Sequence, residues 1–256
     1  MARLKYSNFK TDKEMKICAA QTKSVKGDIQ SNIINHKKLI VLAVSYKADT
    51  IVFPELSLTG YEPDLANELA TDKDDSRLDD FQKISDTNKI TIGVGVPVRN
   101  NSGINIGMVI FQPNKERQVY YKKYLHADEE PYFVSGQNTV GLIGCKPNIA
   151  FAICYEIFIP EHSENAFKIG AEIYIASVAK TSSGVEKAEK SLSGIANKYS
   201  MTVLMSNCIG HCDNFDSAGK SSVWNNKGVL MGQLNGTNEG ILIFDTDTEE
   251  VIEKII

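Results

Sequence analysis

Three short stretches of the chain set a reactive side chain where an apolar run gives out. In Phe53-Pro-Glu-Leu-Ser-Leu-Thr-Gly-Tyr61, Glu55 follows Ile51-Val-Phe53 and a proline. A carboxyl carried to the rim of a sheet is partly desolvated, and its pKa rises toward the range of a general base. In Tyr120 to Phe133, Lys122 follows the apolar-leading run more directly than Lys123 does. A fixed ammonium beside acids and aromatics stabilises a developing oxyanion. In Phe151 to Glu161, Cys154 ends an apolar run and precedes a turn toward a helix. That position exposes the sulfur and aims the following N–H groups at whatever binds it. Each residue also has a plainer reading when it stands alone: a capping or surface Glu, a solvated strand-end Lys, a small core Cys.

The elements that must carry these residues alternate along the chain. Lys16 to Thr22 reads as a strand, and Asp28 to Tyr46 as a helix, with Ile29, Ile33, Ile40 and Val44 near helical spacing and Asp28 as its N-cap. Thr50 to Phe53 is a short strand. Ile90, Ile92, Val94, Val96 and Val98 recur at every second residue, and with Ile104 to Phe111 across the turn Asn100-Asn-Ser-Gly103 they predict a hairpin, followed by an extended run over Gln118 to Tyr121. The second half predicts strands at Ile149 to Cys154, Glu172 to Ser177, Thr202 to Asn207, Lys220 to Trp224, Val229 to Gly232 and Gly240 to Phe244. Helices are predicted at Glu161 to Ile169 and Val185 to Tyr199. Runs such as Phe151-Ala-Ile-Cys154 are apolar without alternation, as in strands covered on both faces, so the expected class is a layered α/β domain.

Composition narrows the partners. The chain has 256 residues, 42% of them hydrophobic, with 28 Lys plus Arg against 32 Asp plus Glu. The resulting net charge of -4, with no basic stripe, gives little attraction for nucleic acid or an anionic bilayer. No apolar run approaches the ~20 residues of a membrane span, and the first residues lack a signal-peptide core, so a cytoplasmic protein is expected. Residues 1–14 are polar and read as a flexible extension, with one folded domain over 15–256. The five cysteines, Cys18, Cys145, Cys154, Cys208 and Cys212, are an odd number and read as reduced thiols. Cys208, His211 and Cys212 lack the second ligand pair of a zinc site, and no metal is expected.

Taken together, the three stretches resemble the motifs of the carbon–nitrogen hydrolase (nitrilase) superfamily, whose hallmark is a Glu–Lys–Cys triad in that order. The Phe53 to Tyr61 stretch is similar to the family's Glu motif. Tyr120, Lys122 and Leu125 match its Y-x-K-x-x-L, and Ile153 to Glu161 its I-C-Y-D/E-x-x-x-P-E. Gly170-Ala-Glu172, Asn207 and the stretch Phe215 to Ser222 extend the resemblance over Met15 to Phe244. It implies a four-layer α-β-β-α sandwich that pairs at least into a homodimer. It also implies Glu55 as general base, Lys122 as oxyanion stabiliser, Cys154 as nucleophile and the Tyr155 N–H as second oxyanion donor. A further active-site Glu in an E-x-Y-F context falls on Glu130 rather than Glu129.

By the same resemblance the substrate is a small linear amide or an N-carbamoyl amine, hydrolysed without metal or organic cofactor. Tyr155 in place of Trp after the Cys resembles the amidase and carbamoylase branches. Where many members have an Arg that grips a substrate carboxylate, this chain has Phe158, and Lys180 is the alternative cation. Tyr61 and His126 complete the expected substrate-binding set. With no synthetase segment in the sequence to consume ammonia, free hydrolysis is expected. Two other readings stand against this one: a papain-like Cys–His enzyme, for which none of the four histidines has the right context, and a degenerate member acting as a binding module.

Overall fold

The structure, a computed structural model, describes residues 15–137, 142–143 and 147–256; the expected extension over 1–14 and Cys145 lie outside the described residues. In chain order the elements are β1 (Lys16–Gln21), α1 (Ile29–Ser45), β2 (Thr50–Val52), α2 (Ala66–Leu69), α3 (Asp79–Asn88), β3 (Thr91–Asn100), β4 (Gly103–Phe111), β5 (Gln118–Tyr121), β6 (Leu142–Ile143), β7 (Ile149–Ile153), α4 (Pro160–Lys168), β8 (Ile173–Val178), α5 (Ser182–Tyr199), β9 (Thr202–Asn207), β10 (Ile209–Cys212), β11 (Phe215–Ala218), β12 (Ser222–Trp224), β13 (Leu230–Gln233), β14 (Gly240–Asp245) and β15 (Val251–Ile255).

Two sheets stack face to face. One runs β15-β14-β1-β2-β3-β4-β5 and the other β13-β12-β9-β8-β7-β6, while β10 and β11 form a separate two-stranded ribbon. At the centre of each sheet the strands are parallel, β1 with β2 and β2 with β3 in the first, β7 with β8 and β8 with β9 in the second. Parallel strands need covering on both faces, and alternate residues sort accordingly. Ile17 and Ala19 of β1, and Phe151 and Ile153 of β7, enter the layer between the sheets. Cys18 and Ala20 turn outward to a cluster shared with Leu39 and Ile40 of α1 and Phe81 of α3. Ala150 and Ala152 turn outward to Ala166 of α4 and Leu192 of α5. Three apolar layers between four structural ones make an α-β-β-α sandwich.

Polar side chains also tie the two sheets together: Ser177 Oγ donates to the Phe53 carbonyl (2.8 Å) and Ser206 Oγ to the Ala20 carbonyl (2.6 Å), both buried. Helix α1 starts where expected, with Asp28 accepting from the Ser31 N–H at 2.9 Å. Helix α5 begins at Ser182, three residues before the apolar spacing predicts, because Thr181 caps it through the Gly184 N–H. The expected strand from Lys220 shortens to Ser222, since Gly219 and Lys220 both lie in the left-handed region. No helix among the described residues is long and apolar enough to cross a membrane.

Candidate active site

The sequence-predicted residues sit beyond the carboxyl ends of strands, where a parallel sheet opens a crevice. Glu55 follows β2, Lys122 follows β5 and Cys154 follows β7. The loop bearing Glu55 is pinned from several sides. It folds over Gly95, where an added Cβ would lie 2.4 Å from the Pro54 carbonyl oxygen and 2.6 Å from the Leu56 nitrogen. Leu58 N–H bonds the Gly95 carbonyl, and His36 of α1 stacks on Phe53 at 4.1 Å while its Nε2 meets Ser57 Oγ at 2.9 Å. Leu56 itself takes φ 50°, a conformation that costs an L-residue about 1–2 kcal/mol, held by complete burial of its side chain.

Lys122 is fully buried and bonded to two carboxylates, Glu55 Oε1 at 2.8 Å and Glu129 Oε1 at 2.6 Å. Burial alone would pull the ammonium down; Glu55, Cys154 and Glu129 outweigh it and hold the group above its ordinary value, so it stays protonated. Glu55 has the opposite balance. Burial raises its carboxyl and Glu129 adds to that, while Lys122 and the neighbouring Cys154 thiol draw it back, so that it settles at about 7. Its Oε2 is buried with no hydrogen-bond partner among the described residues, which leaves one oxygen free to take a proton.

The expected second glutamate is corrected by the structure. Glu130 is exposed, whereas Glu129 is buried and contacts Lys122, with Tyr61 OH donating to its Oε1 (2.8 Å) and the His126 N–H to its Oε2 (2.8 Å). A one-turn bend in which the Glu129 N–H bonds the His126 carbonyl rotates Glu129 inward. In a run of adjacent acids, only that turn decides which one faces the lysine.

Cys154 has φ 46°, a sharp left-handed elbow between β7 and a single turn of 3-10 helix over Cys154–Phe158. The leading N–H groups of such a turn have no partner within it, and that of Tyr155 is one of them. Burial pushes the Cys154 thiol up to about 11. The elbow is braced by Glu156, which sequence reasoning left without a role. Its Oε2 accepts from the Ile153 N–H (2.8 Å) and Tyr120 OH (2.6 Å), and its Oε1 from the Lys123 N–H (2.7 Å). One buried carboxylate thus clamps the turn bearing Cys154 to the strand end bearing Lys122. Behind it, Tyr120 OH meets His162 Nε2 at 2.8 Å, and Nδ1 of that ring meets Tyr174 OH at 2.7 Å.

A cavity of about 470 Å³ opens above the sulfur, a size that suits a small molecule. Tyr61, His126 and Lys180 all line it, together with Tyr155, Phe158 and Phe215. Tyr61 reaches it from beside Glu129, while His126 is mostly exposed and pairs with Asp128. His211 turns to Asp216 on the surface, and Cys208 lies 3.6 Å from Cys212, sulfur to sulfur.

Comparison with known proteins supplies the classification. The profile of the family described as carbon-nitrogen hydrolase matches residues 16–255. The chain belongs to the carbon-nitrogen hydrolase family. This carbon-nitrogen hydrolase is 30% identical over 233 residues to the 2-oxoglutaramate amidase of Bacillus subtilis, covering 87% of each chain. It is 26% identical over 249 residues to the protein named hydrolase in agr operon of Staphylococcus aureus, covering 94% of each. Its fold is similar, with a TM-score of 0.83, 20% identity and 91% of each chain covered, to an amidase from Nesterenkonia sp. AN1. The protein in that structure is a mutant of the amidase, with the acetamide moiety of fluoroacetamide covalently added at its active-site cysteine.

Proposed function

We propose that this carbon-nitrogen hydrolase cleaves the C–N bond of a small linear amide through a thioester on Cys154, releasing ammonia or an amine. The observation that carries the reading is the fully buried Lys122 ammonium gripped by Glu55 and Glu129 in a cluster that includes the Cys154 thiol. An amide carbon is a poor electrophile, so its hydrolysis needs an activated nucleophile, a donor for the tetrahedral oxyanion and a proton for the departing nitrogen.

In this reading Glu55 takes the thiol proton through its free oxygen as sulfur attacks the carbonyl carbon. Lys122 and the Tyr155 N–H receive the oxyanion, and Glu55 returns the proton to the leaving nitrogen. Water activated by the same carboxylate then cleaves the thioester, regenerating the thiol. Glu129, anchored by Tyr61 and His126, keeps Lys122 aimed, while Tyr61, His126 and Lys180 face the substrate. The names of the similar proteins, an amidase among them, favour an amide over a nitrile. Assembly into a homodimer is part of the same proposal and rests on the family resemblance.

Ammonia release is measured over linear amides and N-carbamoyl amines with neutral, acidic and basic tails. At least one amide is turned over by the wild type and none by Cys154→Ala at unchanged folding; wild-type turnover by Cys154→Ala would refute the mechanism. Lys122→Ala is a less clean test. It leaves buried carboxylates uncompensated, at about 3–5 kcal/mol, so its activity must be read beside an unfolding curve.

A further inference from the structure

Beyond Glu55, Lys122 and Glu129, a second lysine touches the nucleophile. Lys180 Nζ lies 3.5 Å from Cys154 Sγ and 4.7 Å from the centre of the Phe158 ring. The residue is more than nine-tenths buried, and among the described residues its ammonium makes no ion pair. Its backbone is held with unusual firmness at the end of β8. Its N–H donates to Asn207 Oδ1, and its carbonyl accepts from the Ala218 N–H, Asn207 Nδ2 and Ser217 Oγ. Thr181, the next residue, caps α5. The fold thus fixes the root of a long cationic side chain whose tip has only a sulfur and a ring face for company.

We infer that Lys180 is a catalytic residue, an ammonium that stabilises the Cys154 thiolate and so makes proton transfer to Glu55 accessible. The inference rests on the amide-hydrolase reading of this site and adds a group to it. In the step, the S–H bond of Cys154 breaks, the electron pair stays on sulfur, and the proton bonds Glu55 Oε2. Lys180 keeps all of its protons, and the net charge of the cluster does not change. Lys122, 2.8 Å from Glu55, favours the state with the proton on sulfur; Lys180, against the sulfur, favours the state with the proton on oxygen.

The groups facing the thiol are Glu55 from the loop after β2, Lys122 after β5, Glu129 and Tyr61 from the cavity wall, and Lys180 after β8. Burial and Glu55 raise the thiol, and Lys180 is the foremost group drawing it back, ahead of Lys122. Without Lys180 the only cation left in this set is already committed to two carboxylates.

The thiol-labelling measurement needs no substrate turnover, so it stands apart from the outcome of the amide screen. The rate of alkylation at Cys154 by iodoacetamide, and of its reaction with the neutral disulfide 4,4'-dithiodipyridine, is followed by peptide mass spectrometry from pH 6 to 10. Wild type, Lys180→Met and Lys180→Arg are compared, with the buried Cys18 as internal reference and circular dichroism as the check on folding. At pH 7 Lys180→Met is expected to react at least about tenfold more slowly, with its pH midpoint moved upward. Lys180→Arg, which keeps the charge, is expected to remain within about threefold of wild type. A wild-type rate and midpoint in Lys180→Met would overturn the inference. So would a variant whose only defect is a raised KM for amides with an acidic tail, because Lys180 would then be a contact for a substrate anion.

Discussion

At Glu129 one carboxylate accepts from Lys122, Tyr61 OH and the His126 N–H, so an amide in its place removes the charge that balances Lys122 and leaves the lysine free to shift. Glu129→Gln is expected to lower kcat/KM for a turned-over amide by about 100-fold, the cost of a small misplacement at a reacting centre. Glu130→Gln, at an exposed position, should stay within about twofold. Ammonia release by the two variants decides between them. The pH profile gives a second check on the base. Burial raises Glu55 to about 7, so its basic form accumulates above that pH, and kcat/KM should climb through a midpoint near 7 as the solution becomes more alkaline. Because the native value exceeds the ordinary glutamate value of 4.5, the bound proton favours the folded state fully below that lower value. The contribution is lost as pH rises through the native one. Glu129 is among the groups that lift Glu55, so Glu129→Gln should move the acidic limb to lower pH.

Among the elements, the β3–β4 hairpin shows why the strands could be read from sequence and the site only in part. Ile92, Val94, Val96 and Val98 alternate cleanly because all four face the outer helical layer. The residues between them carry the functional demand: Gly93 and Gly95 leave the inner face bare, and the Glu55 loop lies on Gly95. Gly95→Ala should destabilise the fold by about 1–3 kcal/mol, as overpacking does, and lower activity further than the lost stability accounts for, because the displaced segment carries the base. Urea unfolding and ammonia release on the same preparation test this. The β10–β11 ribbon and α3 escaped the sequence reading. The ribbon's strands are only four residues each, and α3 buries little beyond Phe81 and Ser85, so neither has a strong apolar period. Glu156 escaped too, since its partners, Tyr120, Lys123 and Ile153, come from segments more than thirty residues away on one side and three on the other.

Across the whole molecule, three apolar layers hold strand ends from both sheets around one cavity, and the placement of Glu55, Lys122 and Cys154 is a property of that stack rather than of any segment. Order along the chain was legible because each residue ends its own strand; the distances between them were not, because they depend on how the two sheets stack. The left-handed elbow at Cys154 carries a consequence for the descent of such proteins. Glycine there would shed the 1–2 kcal/mol that an L-residue bears in that conformation and lose about 0.5–1 kcal/mol of it to the freer unfolded chain. Cys154→Gly should therefore resist urea better than Cys154→Ala by about 0.5–1 kcal/mol, though both are silent toward amides. Once selection for turnover lapses, drift at this codon toward glycine relieves the backbone, and an inert lineage lies a single residue away.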